Sequence, residues 1–165
     1  IDPPVWVFPA DDTLDDVADD LVTMPLGVLR LKTAIDRERE RFDILLIDCP
    51  PNVGVLTYSA LIAADYVIIP TQPAQWSING VLRIRQKIAE VKENLNYGPR
   101  ILGTIATQVT GTLEHSAGLA ILRNADMPLL LGEVPRRGGV DADVELAIAY
   151  RPIAERILEK IGGAS

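Results

Sequence analysis

A chain of 165 residues that is 48% apolar and 24% charged holds enough apolar material for a self-sufficient core and excludes wholesale disorder. Its single cysteine excludes a disulfide framework and a cysteine-based zinc site, and no apolar run is long enough to cross a bilayer. The formal charge of −7 is lopsided: Asp2, Asp11, Asp12, Asp15, Asp16, Asp19 and Asp20 stand in the first twenty residues without a Lys or Arg, while the rest carries sixteen acids against sixteen bases, so the acidic balance does not exclude a local basic face. The chain opens on Ile, with no basic-then-apolar leader, and a reducing cytoplasm is the expected setting.

In chain order, residues 5–8 (Val-Trp-Val-Phe) read as a short strand stopped by Pro9. Asp11, Asp12 and Thr13 then offer N-cap chemistry, Thr13 and Asp16 are spaced as a capping box, and the acids that follow suit the positive end of a helix that Pro25 breaks. A second helix carries Leu26, Leu29, Leu31 and Ile35. Residues 42–48 hold four consecutive apolar residues without alternation, the pattern of a strand buried on both faces. A helix over 55–64, a strand over 66–69 closed by Pro70, a long helix over 78–96 capped by Ser77, a strand over 100–107, a helix over 114–125 and a strand over 129–134 follow. Pro152 suits the first turn of a last helix that Gly162-Gly163 ends. Strands alternating with helices predict a single α/β domain over 1–165, with a mostly parallel sheet flanked by helices in three layers. Chemistry then collects at the carboxyl edge, in loops 48–57, 70–77, 107–114 and 134–145.

Asp48 follows its apolar run directly, and a carboxylate at that edge can hold magnesium through water beside nucleotide phosphates; an N-cap or loop aspartate gives the same pattern. Pro50 and Pro51 stiffen the exit and Gly54 frees it, as a phosphate-sensing switch loop requires. His115, the one histidine, reads as a loop or helix-start residue, Cys49 as a small buried residue, and Trp6 and Trp76 as core or loop anchors.

Phe42-Asp43-Ile44-Leu45-Leu46-Ile47-Asp48-Cys49-Pro50-Pro51 and the stretch from Leu56 to Pro70-Thr71-Gln72 resemble the ParA family of partition ATPases, deviant-Walker P-loop proteins related to MinD. Gly80, Ile101-Leu102-Gly103, Val134-Pro135-Arg136 and Arg151-Pro152-Ile153 extend the resemblance, which covers about 42–161. It implies a P-loop NTPase-like fold, with Asp48 as the Walker B acid acting on Mg2+ through water and Pro50, Pro51 and Gly54 as switch II. By the same resemblance Gln72, Thr107, Pro135 and Arg136 line the nucleotide. It further implies slow ATP hydrolysis, a homodimer around two ATP molecules, non-specific DNA binding, a ParB-like centromere-binding partner and a cytoplasmic, nucleoid-associated location. Arg83, Arg85, Arg136 and Arg137 are the candidate DNA contacts. The last helix, with Glu155 and Glu159 among its bases, lacks the basic amphipathic character of a membrane anchor.

The chain departs from the family in three places. It contains no Lys-Gly-Gly-x-x-Lys-Ser/Thr phosphate loop, so a preceding segment is expected to supply one, and these residues alone are not expected to hydrolyse ATP. Glu145-Leu146 and Tyr150-Arg151-Pro152-Ile153 stand where the family has Glu-Ala and Gly-Lys-Pro-Ile, and Ser59 replaces a helix Asn. A non-catalytic interaction domain, a MinD-like regulator and a cobyrinate-amidating ATPase are the alternative readings.

Overall fold

The computed structural model describes residues 5–11, 13–138 and 142–163. Asp2, Asp12, residues 139–141 of the 134–145 loop and the side chains of Asp15 and Trp76, all named from the sequence, lie outside the described residues. The chain divides into two compact units, Ile1–Ala63 and Ala64–Ser165.

The first unit is helical. α1 (Leu14–Thr23) ends at Met24, next to Pro25, and a 3-10 turn (Gly27–Leu29) leads into α2 (Arg30–Glu38) and a second 3-10 turn (Arg39–Arg41). α3 (Val55–Ala63) packs against α1, the first 3-10 turn and α2. The expected capping box does not form: Thr13 is helical and caps nothing, and Asp11 Oδ1 instead accepts from Thr13 N at 3.0 Å and Thr13 Oγ1 at 2.6 Å. Those two bonds hold the Asp11 carboxyl below its ordinary pKa.

Neither residues 5–8 nor residues 42–48 form a strand, against the sequence expectation. A strand exists only where a neighbour completes its ladder. Among the described residues none pairs with either segment, and Leu46 stands 85% exposed. Phe8 and Phe42 meet edge to face at 6.0 Å.

The second unit carries the sheet. β1 (Tyr66–Thr71), β2 (Arg100–Val109) and β3 (Leu130–Pro135) are parallel, in the order β1-β2-β3. They are linked by α4 (Gln75–Leu95) and α5 (Leu113–Leu122), and α6 (Ala142–Gly162) follows β3. One face holds Ile69 and Ala106 against Ile78 and Val81 of α4 and Leu119 and Leu122 of α5; the other holds Leu102, Ile105, Leu131 and Val134 against Ile153 of α6. Three layers result, as the alternation of elements predicts. Pro70 is tolerated inside β1 because, among the described residues, β1 has β2 on one side only.

Two helix starts differ from expectation. α4 begins at Gln75 behind Ala74, so Ser77 lies inside the helix and caps nothing. Pro152 lies within the 21-residue α6 and withholds the amide that would serve the Ile148 carbonyl.

β2 breaks its own alternation. Leu102 and Ile105 share a face although three residues apart, because the register slip from Val67↔Ile101 to Ile68↔Gly103 adds one residue to β2; the slip from Thr104↔Leu130 to Ile105↔Gly132 adds one to β3. Gly103 makes this possible: its φ is +156°, and a Cβ there would stand 2.2 Å from the Leu129 carbonyl oxygen. That same oxygen accepts from Thr104 N at 2.8 Å, so it cannot retreat without giving up a ladder bond. Gly103→Ala is expected to destabilise the fold by about 1–3 kcal/mol in urea denaturation. Gly80→Ala, where a Cβ meets nothing within 4 Å, is expected to stabilise α4 by about 0.5–1 kcal/mol.

Candidate functional site

The carboxyl ends of β1, β2 and β3 lie side by side, and cross-strand bonds tie them together. Thr107 Oγ1 donates to Thr71 O at 3.4 Å, joining β2 to β1, and Arg136 N donates to Val109 O at 2.9 Å, joining the exit of β3 to β2. Thr71 Oγ1, buried, stands 3.3 Å from both Gln72 O and Ser77 O and so closes the turn into α4. Gln72, Thr107, Pro135 and Arg136, named from the sequence, therefore share one sheet edge. Gln72 and Arg136 are exposed there, and Thr107 and Pro135 are half-buried.

Two features of this edge are invisible in the linear pattern. Gln108 adopts φ 53°, which adds one residue to β2 between the Ala106↔Glu133 and Val109↔Pro135 pairs. Gly118 of α5 comes so close to the β1–α4 loop that a Cβ would stand 2.0 Å from Pro73 O. Only a position without a side chain lets α5 support that loop. Beside it, Thr112 caps α5 by accepting from His115 N at 3.3 Å. His115 Nδ1 accepts from Thr110 N at 3.0 Å. A backbone N–H can only donate, so that ring nitrogen carries no proton, and the histidine serves as a loop brace.

The candidate DNA contacts do not form one patch. Arg136 and Arg137 leave β3 at the carboxyl edge, and Arg137 Nε pairs with Glu145 Oε2 at 3.1 Å. Arg83 and Arg85 lie exposed on α4, and Arg85 Nη1 donates to Asp126 O at 2.6 Å, in the loop that enters β3 at the opposite edge.

In the first unit, Asp48 is exposed, and the loop behind it is knotted by a residue to which sequence reading assigns no role. Asn52 Oδ1 accepts from Gly54 N at 3.3 Å and Asn52 O accepts from Thr57 Oγ1 at 2.7 Å, which fastens the Pro50-Pro51 segment to the first turn of α3. An Asn two residues before a Gly is the signal for such an Asx turn. Cys49 is exposed as a residue rather than buried, with its sulfur only partly covered. Partial burial, and then the negative charge of Asp48, push its thiol above the ordinary cysteine pKa.

Among the described residues no group of three or more His, Cys, Asp or Glu could hold a metal. A single carboxylate at Asp48 cannot cage an ion, but it matches magnesium, which keeps most of its waters and arrives with phosphates. The donor chemistry of Asp48 thus fits a magnesium ion that arrives with a nucleotide. No helix among the described residues is long and apolar enough to cross a membrane.

The Asp48–Cys49 coupling is directly measurable. Asp48→Asn removes the charge that suppresses the thiolate, so alkylation of Cys49 by iodoacetamide at pH 7 is expected to quicken, by less than the full effect because burial remains. An unchanged rate would show that the charge is screened.

The family model described as "AAA domain" matches residues 3–101, more than half of the chain. The sporulation initiation inhibitor protein Soj of Bacillus subtilis is 33% identical over 103 residues, which are 62% of this chain and 41% of that relative. The chromosome-partitioning ATPase Soj of Treponema pallidum is 32% identical over 174 residues, 96% of this chain and 68% of the relative. Among solved structures, the cobyrinic acid a,c-diamide synthase of Mycobacterium smegmatis with bound ATP analogue and magnesium matches with a TM-score of 0.82 at 29% identity, covering 95% of this chain and 64% of that one. The chain spans less than half the length of the Bacillus relative.

Proposed function

Because the chain belongs to the ParA/Soj/MinD-like family of P-loop ATPases, we propose that it forms part of an ATP-dependent DNA-partitioning protein whose nucleotide lies along the carboxyl edge of β1–β3. The observation that carries this reading is the junction of that edge: Thr107 to Thr71 and Arg136 to Val109 hold Gln72, Thr107 and Arg136 on adjoining strand ends. The edge of a parallel sheet is where such ligands bind.

In this reading the Asp48 carboxylate holds the magnesium through water, and the magnesium neutralises phosphate charge when bound. Pro50 and Pro51 limit how far the backbone after Asp48 can move, and Asn52 passes any movement to α3 through its bonds to Gly54 and Thr57. Gln72 and Thr107 orient the nucleotide, while Pro135 and Arg136 flank the base. The phosphate-cradling loop and its lysine are no part of these 165 residues, so turnover is proposed for the whole protein alone. ATP-dependent homodimerisation, non-specific DNA binding and stimulation by a ParB-like partner complete the proposal. Arg136 and Arg137 are put before Arg83 and Arg85 as DNA contacts because they stand side by side where the chain leaves β3, although Arg137 shares its charge with Glu145 just as Arg85 is engaged with the Asp126 carbonyl.

Asp48→Ala in the whole protein is expected to abolish magnesium-dependent ATP hydrolysis while far-UV circular dichroism stays unchanged; retained turnover would overturn the assignment. Changing Arg136 and Arg137 to Ala is expected to weaken DNA binding and to flatten the slope of log K against log salt by about one for each phosphate that is no longer neutralised. An unaltered slope would return both residues to the role of solvated surface.

A further inference from the structure

α6 is apolar on two sides. Leu146, Ala149, Ile153 and Ile157 pack on the sheet. On the other side Val144, Ile148 and Leu158 stand 64%, 69% and 50% exposed. At about 100° per residue, these three fall with Arg151 and Glu155 inside an arc of about 80°. A helix apolar on both sides is a helix with something on both sides.

The order of residues on this arc says what fits there. Counted outward from the level of Ile153, Ile148 mirrors Leu158, Arg151 mirrors Glu155, and Val144 mirrors Gly162. The stripe is therefore complementary to itself when turned end for end. An antiparallel pair of α6 helices about a two-fold axis at that level sets each Ile148 against Leu158 of the second copy and each Arg151 against Glu155 of the second copy, twice over. Gly162 leaves room for Val144. Within one chain Arg151 Nε and Glu155 Oε1 stand 4.0 Å apart with both side chains well exposed, a pair that contributes little in water. Exchanging it for two cross-copy pairs therefore sacrifices little.

We infer that the outer face of α6 is a self-association surface, on which a second copy of this chain docks antiparallel without nucleotide. It is independent of the nucleotide-dependent dimer proposed above, whose failure leaves it standing. One helix pair buries less than the roughly 1,200 Å² of a standard stable interface, so the contact is weak and reversible and adds to a stronger one.

Sedimentation equilibrium of the whole protein without nucleotide tests this. The wild type is expected to show a concentration-dependent monomer–dimer equilibrium, and Ile148→Glu to weaken it by about tenfold or more. Arg151→Glu and Glu155→Arg each place like charges across the axis, so each is expected to shift towards monomer. Mixed in equal amounts, the two variants are complementary at every charged contact and are expected to form a heterodimer. A wild type that stays monomeric overturns the inference. So does association that neither charge variant changes, the result expected if copies meet through exposed residues 5–8 or 44–46 instead. Failure of the mixture to pair does the same. Both charge positions are exposed, and circular dichroism checks the variants; should Ile148→Glu misfold, the complementation still decides.

Discussion

The ladder through β2 is the constraint on which the rest depends. Among the described strands β2 alone has a neighbour on each side, and it meets both out of step: the register slips against β1 after Val67 and against β3 after Thr104 and again after Ala106. Each slip changes which side chain faces which layer. The slip next to Gly103 sends both Leu102 and Ile105 to α6 and leaves Ile101 and Ala106 to α4 and α5. The last slip, at left-handed Gln108, brings the Val109 carbonyl to Arg136 N. A regular β2 would present a different edge, with Thr107 and the exit of β3 no longer in the same relation. Core packing thus rests on the slip that the bare Gly103 permits, and the geometry of the site edge on the slip at Gln108.

The edge then rests on close approach. Gly118 admits the Pro73 carbonyl, and Gly132 faces Ile153 of α6, whose Cγ1 would lie 2.5 Å from a Cβ at that position. Both glycines press a helix on the sheet unit more tightly than any side chain would permit, one on each face. The loop that carries Gln72 is held from behind by α5 and from within by Thr71, so it is a braced element rather than a free one.

The sheet was legible in sequence because β1–β3 are apolar runs bounded by Pro, Gly or polar residues, and each has a neighbour to pair with. Residues 42–48 carry the same signal and form no strand, since an apolar run records a need for burial and not the partner that supplies it. Thr13 does stand at the N-cap position of α1 but makes no capping bond, its hydroxyl being given to Asp11, and the start expected at Ser77 falls instead behind Ala74. At the site, Gln72, Thr107, Pro135 and Arg136 were named from the family resemblance, and the structure sets them at one sheet edge. Gly118 and the Asn52 knot were not legible, because the first depends on a neighbour 45 residues away in sequence and the second on a backbone turn that the Asn-Val-Gly spacing permits without requiring.

The two groups of arginines illustrate why charge counted along a chain is a weak guide to a binding face. Arg83, Arg85, Arg136 and Arg137 are all exposed, yet the loop into β3 engages Arg85 and the chain leaving β3 carries Arg136 and Arg137. A strand of six residues separates those ends by about 20 Å, twice the screening length at ordinary salt, so the pairs act on a polyanion as separate contacts. Glu145 further reduces the field of Arg137, leaving Arg136 the less compensated charge at the carboxyl edge. That edge is also where the nucleotide is proposed to lie with its base beside Arg136, so a bound nucleotide would itself compete with DNA for Arg136. DNA affinity and nucleotide state would then be coupled through one guanidinium, with no conformational change needed to link them.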